Sequence, residues 1–134
     1  MEAGVDAIPN AVEEFLRFDA PVQFTGRMTW EEDTVEGVDL PAGATILTLL
    51  GGANRDPAVF ADPDRLDVTR TNARDHLSFS LGPHHCLGAA LARLEAEVAF
   101  ELLLERHPQV RLAAPARRRS NTVLRGLETL PVSW

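Results

Sequence analysis

The sequence has one cysteine, Cys86, in 134 residues. No intramolecular disulfide can form, which excludes the small secreted scaffolds that depend on several bridges. No apolar run approaches the roughly 18 residues that span a bilayer, so no membrane partner is expected. The opening stretch MEAGVDAIPN has neither the basic segment nor the apolar run of a secretory signal. Positive charge is in short supply. A formal net charge of -7 argues against a nucleic-acid partner held by counterion release. There is no internal repeat and no low-complexity tract. A cytoplasmic, reducing compartment is the expectation these absences leave.

What is present suits a soluble globular chain, with 45% hydrophobic and 25% charged residues. Its length is that of one domain, taken as residues 1–134. Pro9 and the spacing of Val12, Phe15, Leu16 and Asp19 predict a helix over 8–19, with Ala11 and Phe18 widening its apolar face. Pro21 ends it, and 22–29 reads as a strand with Gly26 as a bulge. Residues 30–43 read as turns and 44–50 as a short strand. Residues 51–76 are irregular, with one helical turn near 57–60, and loops of that length are often functional. The clearest element is a helix over 88–107, with Leu87, Leu91, Leu94, Val98 and Leu102 at helical spacing and Arg93, Glu97, Glu101 and Glu105 on another face. Short strands are expected at 109–113, 122–124 and 130–133. The Arg117–Arg119 run reads as a solvated loop, with docking of an acidic electron-transfer partner as the alternative.

The densest chemistry is FSLGPHHCLG, residues 79–88. Cys86 stands just before the long helix. The first amides of a helix lack partners within it and, with the helix dipole, favour an anion. Thiolate character at Cys86 follows. Gly82 and Gly88 allow a flat ligand to approach the backbone, and Pro83 stiffens the loop. Two other readings stay open on these residues alone. One is an inert buried cysteine. The other is a metal site from His84, His85 and Cys86, although adjacent residues diverge and zinc sites use spaced pairs.

This decapeptide resembles the haem-binding signature of the cytochrome P-450 monooxygenases, Phe-x-x-Gly-x-x-x-Cys-x-Gly. Phe79, Gly82, Cys86 and Gly88 match it, and His84 fits the basic position two residues before the cysteine. Ser80 stands where many bacterial members have glycine. Glu14-Phe15-Leu16-Arg17 resembles the family's Glu-x-x-Arg, and Asn54–Pro57, Phe60–Pro63 and the end VLRGLETLPVSW fit bacterial members as well.

The resemblance implies a mainly α fold with small β-sheets (α+β), the proximal haem side of the family's C-terminal portion. It implies haem (heme b, iron-protoporphyrin IX) with Cys86 as the iron ligand, whose thiolate favours O–O cleavage. Phe79 would shield the sulfur, and Arg27, His84 and also His76 would hold the propionates. Glu14 and Arg17 would lock to Arg65 as a structural brace. Val22, Gln23, Val123 and Leu124 would face substrate. The implied activity is insertion of one oxygen atom of O2 into a small organic substrate, with electrons from a ferredoxin and its reductase. The central helix that crosses the distal haem face in the family has no counterpart in this sequence. Apolar faces are therefore expected to be exposed, which favours self-association. The alternative is a haem-binding or assembly module without turnover of its own.

Overall fold

The computed structural model describes residues 5–134, and the first four residues lie outside that range. Helix α1 spans Ile8–Phe18, entered through a 3-10 turn at Val5–Ala7, with a proline in its first turn. Helix α2 is short, Leu50–Ala53, and α3 spans Ala89–Arg106. Among the described residues eight short strands form four antiparallel pairs: β1 (Thr25–Met28) with β4 (Thr45–Thr48), β2 (Asp33–Val35) with β3 (Val38–Leu40), β5 (Arg111–Leu112) with β8 (Val132–Ser133), and β6 (Arg117–Arg118) with β7 (Leu127–Thr129). The fold is α+β, with the helices supplying the frame.

Several expectations change. Gly26 is no bulge, because β1 and β4 pair in unbroken register from Thr25↔Thr48 to Met28↔Thr45. The turn region 30–43 holds the β2–β3 hairpin. Its corner, Glu36-Gly37, has positive φ at both residues, the geometry of the tightest hairpin turns. Strand β4 stops at Thr48, since Leu50 already begins α2. The turn near 57–60 is present as Val59 and Phe60 amides donating to the Asp56 carbonyl. Expected strand 122–124 reduces to a bridge between Val22 and Leu124. Arg117 and Arg118 lie in β6, with Arg117 paired to Glu128 and Arg118 to Asp19.

The core is unusual in kind. Ile8, Val12, Ala20, Leu50, Phe60, Ala73 and Ala89 are its buried apolar side chains. Beside them Glu13, Glu14, Arg17, Asn54, His76 and Ser78 are buried as well. The most buried face of α1 is thus charged, while Phe15 and Leu16 are only half-buried. Helix α3 meets α1 through Arg93, Ala96 and Phe100, and of these Arg93 belongs to the face read apart from the leucine row. The Phe100 ring lies 5.2 Å from that of Phe15. Its leucine row points elsewhere. Leu91, Leu94 and Val98 are 59%, 57% and 43% exposed, and Leu87 is fully exposed. Among the described residues no helix is long and apolar enough to cross a membrane.

Candidate functional site

Cys86 sits at the end of the loop that feeds α3. Its amide donates to the Phe79 carbonyl at 2.9 Å, and its carbonyl accepts the Ala89 amide, so the loop closes on itself directly before the helix. Gly82 has φ 67°, a left-handed conformation in which a Cβ costs energy. Ser80 takes φ 61° as well, so the residue standing where many P-450 enzymes have glycine carries real backbone strain. Gly88 has ordinary φ, and a Cβ there would lie 3.8 Å from the Cys86 sulfur, against the face where the thiol is presented. The thiol itself is exposed.

Cys86 lines a cleft of about 250 Å³ whose wall is mainly apolar, with Leu16, Pro21, Val22, Leu50 and Phe79 among its lining residues and His84 and Ser80 beside them. Thr25 of β1 lines the same cleft, two residues from Arg27. Among the described residues the Arg27 guanidinium makes one hydrogen bond, to the neighbouring Gly26 carbonyl at 2.8 Å. Arg27 and His84 have no ion-pair partner among the described residues. Most other arginines near the site are committed to protein carboxylates. One thiol, two uncommitted basic side chains and an apolar wall fit an iron porphyrin whose carboxylates need cationic partners. Among the described residues no three His, Cys, Asp or Glu side chains form a cluster that could hold a metal ion by themselves.

His76 departs from its expected place at a propionate. It is buried in α1's shadow, with Nε2 3.0 Å from Glu13 Oε2 and Nδ1 accepting the Ser78 amide at 3.1 Å. Both ring nitrogens are thus used inside the protein. Burial is the largest influence on it and holds its pKa below the ordinary 6.5. The neighbouring Glu13 pulls the other way and is outweighed.

The brace is also assembled differently. Arg17 Nε and Nη2 donate to the two Glu14 carboxylate oxygens at 2.7 and 2.9 Å, with both side chains fully buried. Arg17 donates further to the carbonyls of Asn54, Pro63 and Arg65, and its guanidinium lies 5.2 Å from the Phe60 ring centre. The second guanidinium on Glu14 belongs to Arg70, at 3.2 Å, and the Asp67 amide donates to Glu14 as well. Arg65 contributes its carbonyl to both arginines, and its side chain is not the partner of Glu14. The chain turns at Asp62–Arg65 and brings Arg70, not Arg65, over the carboxylate.

Of the substrate-facing candidates, Val22 lines the cleft. It bridges Leu124, and the Gln23 amide donates to the Val123 carbonyl, so the two segments run side by side. The Gln23 side chain is turned to the Ala20 carbonyl, 2.6 Å away, and its amide group packs where a Cβ on Gly51 would collide. It is a local clasp rather than a free surface group. Val123 and Leu124 are exposed.

Residues 7–111 match the sequence profile of the family described as cytochrome P450. The chain belongs to the cytochrome P450 family. Cytochrome P450 140 of Mycobacterium bovis is 52% identical over 125 residues, which is 93% of this chain and 28% of that protein. The 6-deoxyerythronolide B hydroxylase of Saccharopolyspora erythraea is 48% identical over 129 residues, covering 94% of this chain and 32% of the hydroxylase. The crystal structure of P450BioI in complex with an acyl carrier protein carrying hexadec-9Z-enoic acid superposes with a TM-score of 0.94. That match is at 46% identity, over 98% of this chain and 34% of the other. This P450 chain spans about a third of the length of the curated relatives it matches.

The network around Glu13 went unread in the sequence. Two adjacent glutamates on a helix look like a solvated pair, and only Glu14 stood in a recognisable motif. A glutamate on the same helix face as Val12 and Arg17 was the one available signal.

Proposed function

We propose that this chain forms the proximal wall of a haem-thiolate monooxygenase site, with Cys86 as the iron ligand. One observation carries the reading. The only cysteine is exposed at the mouth of an apolar cleft, on a loop closed by the Cys86–Phe79 backbone hydrogen bond. An exposed thiol that merely filled space would have no need of a strained loop with two left-handed residues. When bound, haem supplies the activation of O2 that protein side chains do not provide.

The chain's own residues do the rest. Cys86 would bind the iron through its sulfur, on the loop that leads directly into α3. Phe79 would keep water from one side of the sulfur. Arg27 and His84 would neutralise the two propionates by charge-assisted hydrogen bonds. Gly82 and Gly88 would leave room for the macrocycle's edge. Val22, with Val123 and Leu124 on the adjoining segment, would contribute to the substrate side. The substrate would be a small organic molecule, in keeping with the hydroxylase among its relatives, and the electrons would come from a ferredoxin-type partner.

The test is a carbon monoxide difference spectrum of the reduced, haem-supplemented protein beside Cys86→Ala. A thiolate-type Soret band in the parent protein that disappears in the variant is expected. Identical spectra for the two proteins would overturn the assignment.

A further inference from the structure

Glu13 is 3% exposed and outside the brace formed by Glu14 and Arg17. One of its oxygens accepts from Arg93 Nε of α3 at 2.8 Å and from Arg74 Nε at 3.0 Å; the other faces His76 Nε2 at 3.0 Å. A carboxylate so deep needs this much compensation to stay charged. Burial pushes its pKa up, and the hydrogen bonds from Arg93, Arg74 and His76 together bring it below the ordinary value.

Two of those partners share a second contact. The Arg93 guanidinium carbon lies 4.7 Å from the centre of the Phe79 ring, a cation–π distance. The His76 ring lies 5.8 Å from the same ring, tilted against it. Phe79 in turn holds the Cys86 amide through its carbonyl. The far side of His76 is equally fixed. Its Nδ1 accepts the Ser78 amide, and the Ser78 hydroxyl donates to the Leu16 carbonyl and accepts from the Asn54 side chain. One carboxylate on α1 therefore orients two of the side chains packed on the aromatic residue at the base of the cysteine loop, where His85 of the loop itself is a third, 6.4 Å away and edge-on.

We propose that Glu13 is a positioning residue for the iron ligand, acting through Arg93, His76 and Phe79 to hold the loop that presents Cys86. The proposal rests on the reading of Cys86 as that ligand. It separates the labour of adjacent glutamates: Glu14 fastens the 62–70 segment to α1, and Glu13 fastens the cysteine loop.

Hydrogen exchange on the intact chain tests this without haem. In Glu13→Gln, amides of residues 79–88 are expected to exchange about tenfold faster, while residues 62–70 keep the parent rate. Arg93→Lys keeps the charge but loses the planar group over Phe79, and is expected to loosen the same residues. It stands in for Glu13→Gln if that variant does not fold. Arg74→Ala removes a mostly exposed partner of Glu13 and is expected to leave both segments unchanged. Parent-like protection of 79–88 in Arg93→Lys, or equal loosening of both segments in either variant, would overturn the proposal. In haem-supplemented samples the fraction showing the thiolate-type carbon monoxide band is expected to fall in Glu13→Gln and Arg93→Lys. Absence of that band in the parent protein would sink the haem reading, while the exchange experiment would still judge the link from Glu13 to the loop.

Discussion

The two long helices invert the usual arrangement in opposite ways. Helix α1 turns charge inward, with Glu13, Glu14 and Arg17 among its most buried residues. Helix α3 turns apolar side chains outward, at Leu91, Leu94 and Val98, as does Leu87 just before it. Burial follows whatever packs against a helix, not the hydrophobicity of its stripe. Around α1 the segment 54–79, together with Arg93 of α3, supplies arginines, carbonyls and a histidine that satisfy the buried charges, and no buried side-chain polar atom among the described residues lacks a partner. Against the leucine row of α3 no element is packed among the described residues. Only its Arg93–Ala96–Phe100 side meets α1.

If this contrast holds, the largest loss should come from α1. Arg17→Met leaves the Glu14 carboxylate with only Arg70 and the Asp67 amide, and strands the carbonyls of Asn54 and Pro63. Breaking a fully buried ion pair from one side costs about 3–5 kcal/mol. Native domains hold only about 5–15 kcal/mol, so most of the margin would go. Urea unfolding followed by circular dichroism measures it. A loss under about 1 kcal/mol would mean that the buried charges of α1 are ornamental and the comparison between the helices is void.

Acid should act on the α1 side in two stages. Folded His76 is held below 6.5, chiefly by burial, while the unfolded histidine takes up its proton near that value. The unfolded state therefore binds more protons as pH falls through about 6.5, and stability drops with it. Glu13 and Glu14 have the opposite chemistry and the same sign. Burial raises each, but the arginine and other hydrogen bonds outweigh it and hold both below 4.5. Their contribution is complete above 4.5 and is lost as pH falls through their folded values. Urea midpoints against pH should decline gently below about 6.5 and steeply below about 4.5. His76→Gln should remove the first decline and keep the second. A single decline, unchanged in the variant, would detach His76 from the network.

Much of the site was legible because it is local. The loop 79–88 carries its spacing within ten residues, and the ends of α1 and α3 fall within one residue of those read from periodicity and proline. The misreadings at the site are long-range. Arg70 meets Glu14 across 56 positions, in a stretch where Arg55, Arg65, Arg70 and Arg74 follow no period. Nothing in one sequence says which of four arginines the chain reversal at 62–65 will deliver. His76 looked free for a ligand because its partner, Glu13, is 63 positions away. The apolar row of α3 is exposed as expected, but nothing local says that the face carrying Arg93 is the one that meets α1.

The smallest effect should come from the row that looks most like a core. Leu94 is 57% exposed, so Leu94→Gln removes little buried area, and surface substitutions of this kind stay within about 0.5 kcal/mol. The unfolding midpoint should match the parent protein at low protein concentration. An exposed apolar row of this length also invites association between copies, and a folded assembly is stabilised by mass action. The informative measurement is therefore the midpoint at several protein concentrations. A parent midpoint independent of concentration, with Leu94→Gln equal to it, keeps α3's outer face a true surface. A parent midpoint that climbs with concentration, and a variant whose midpoint does not, would mean a second copy covers the leucines. The two helices would then differ only in whether their cover comes from the same chain.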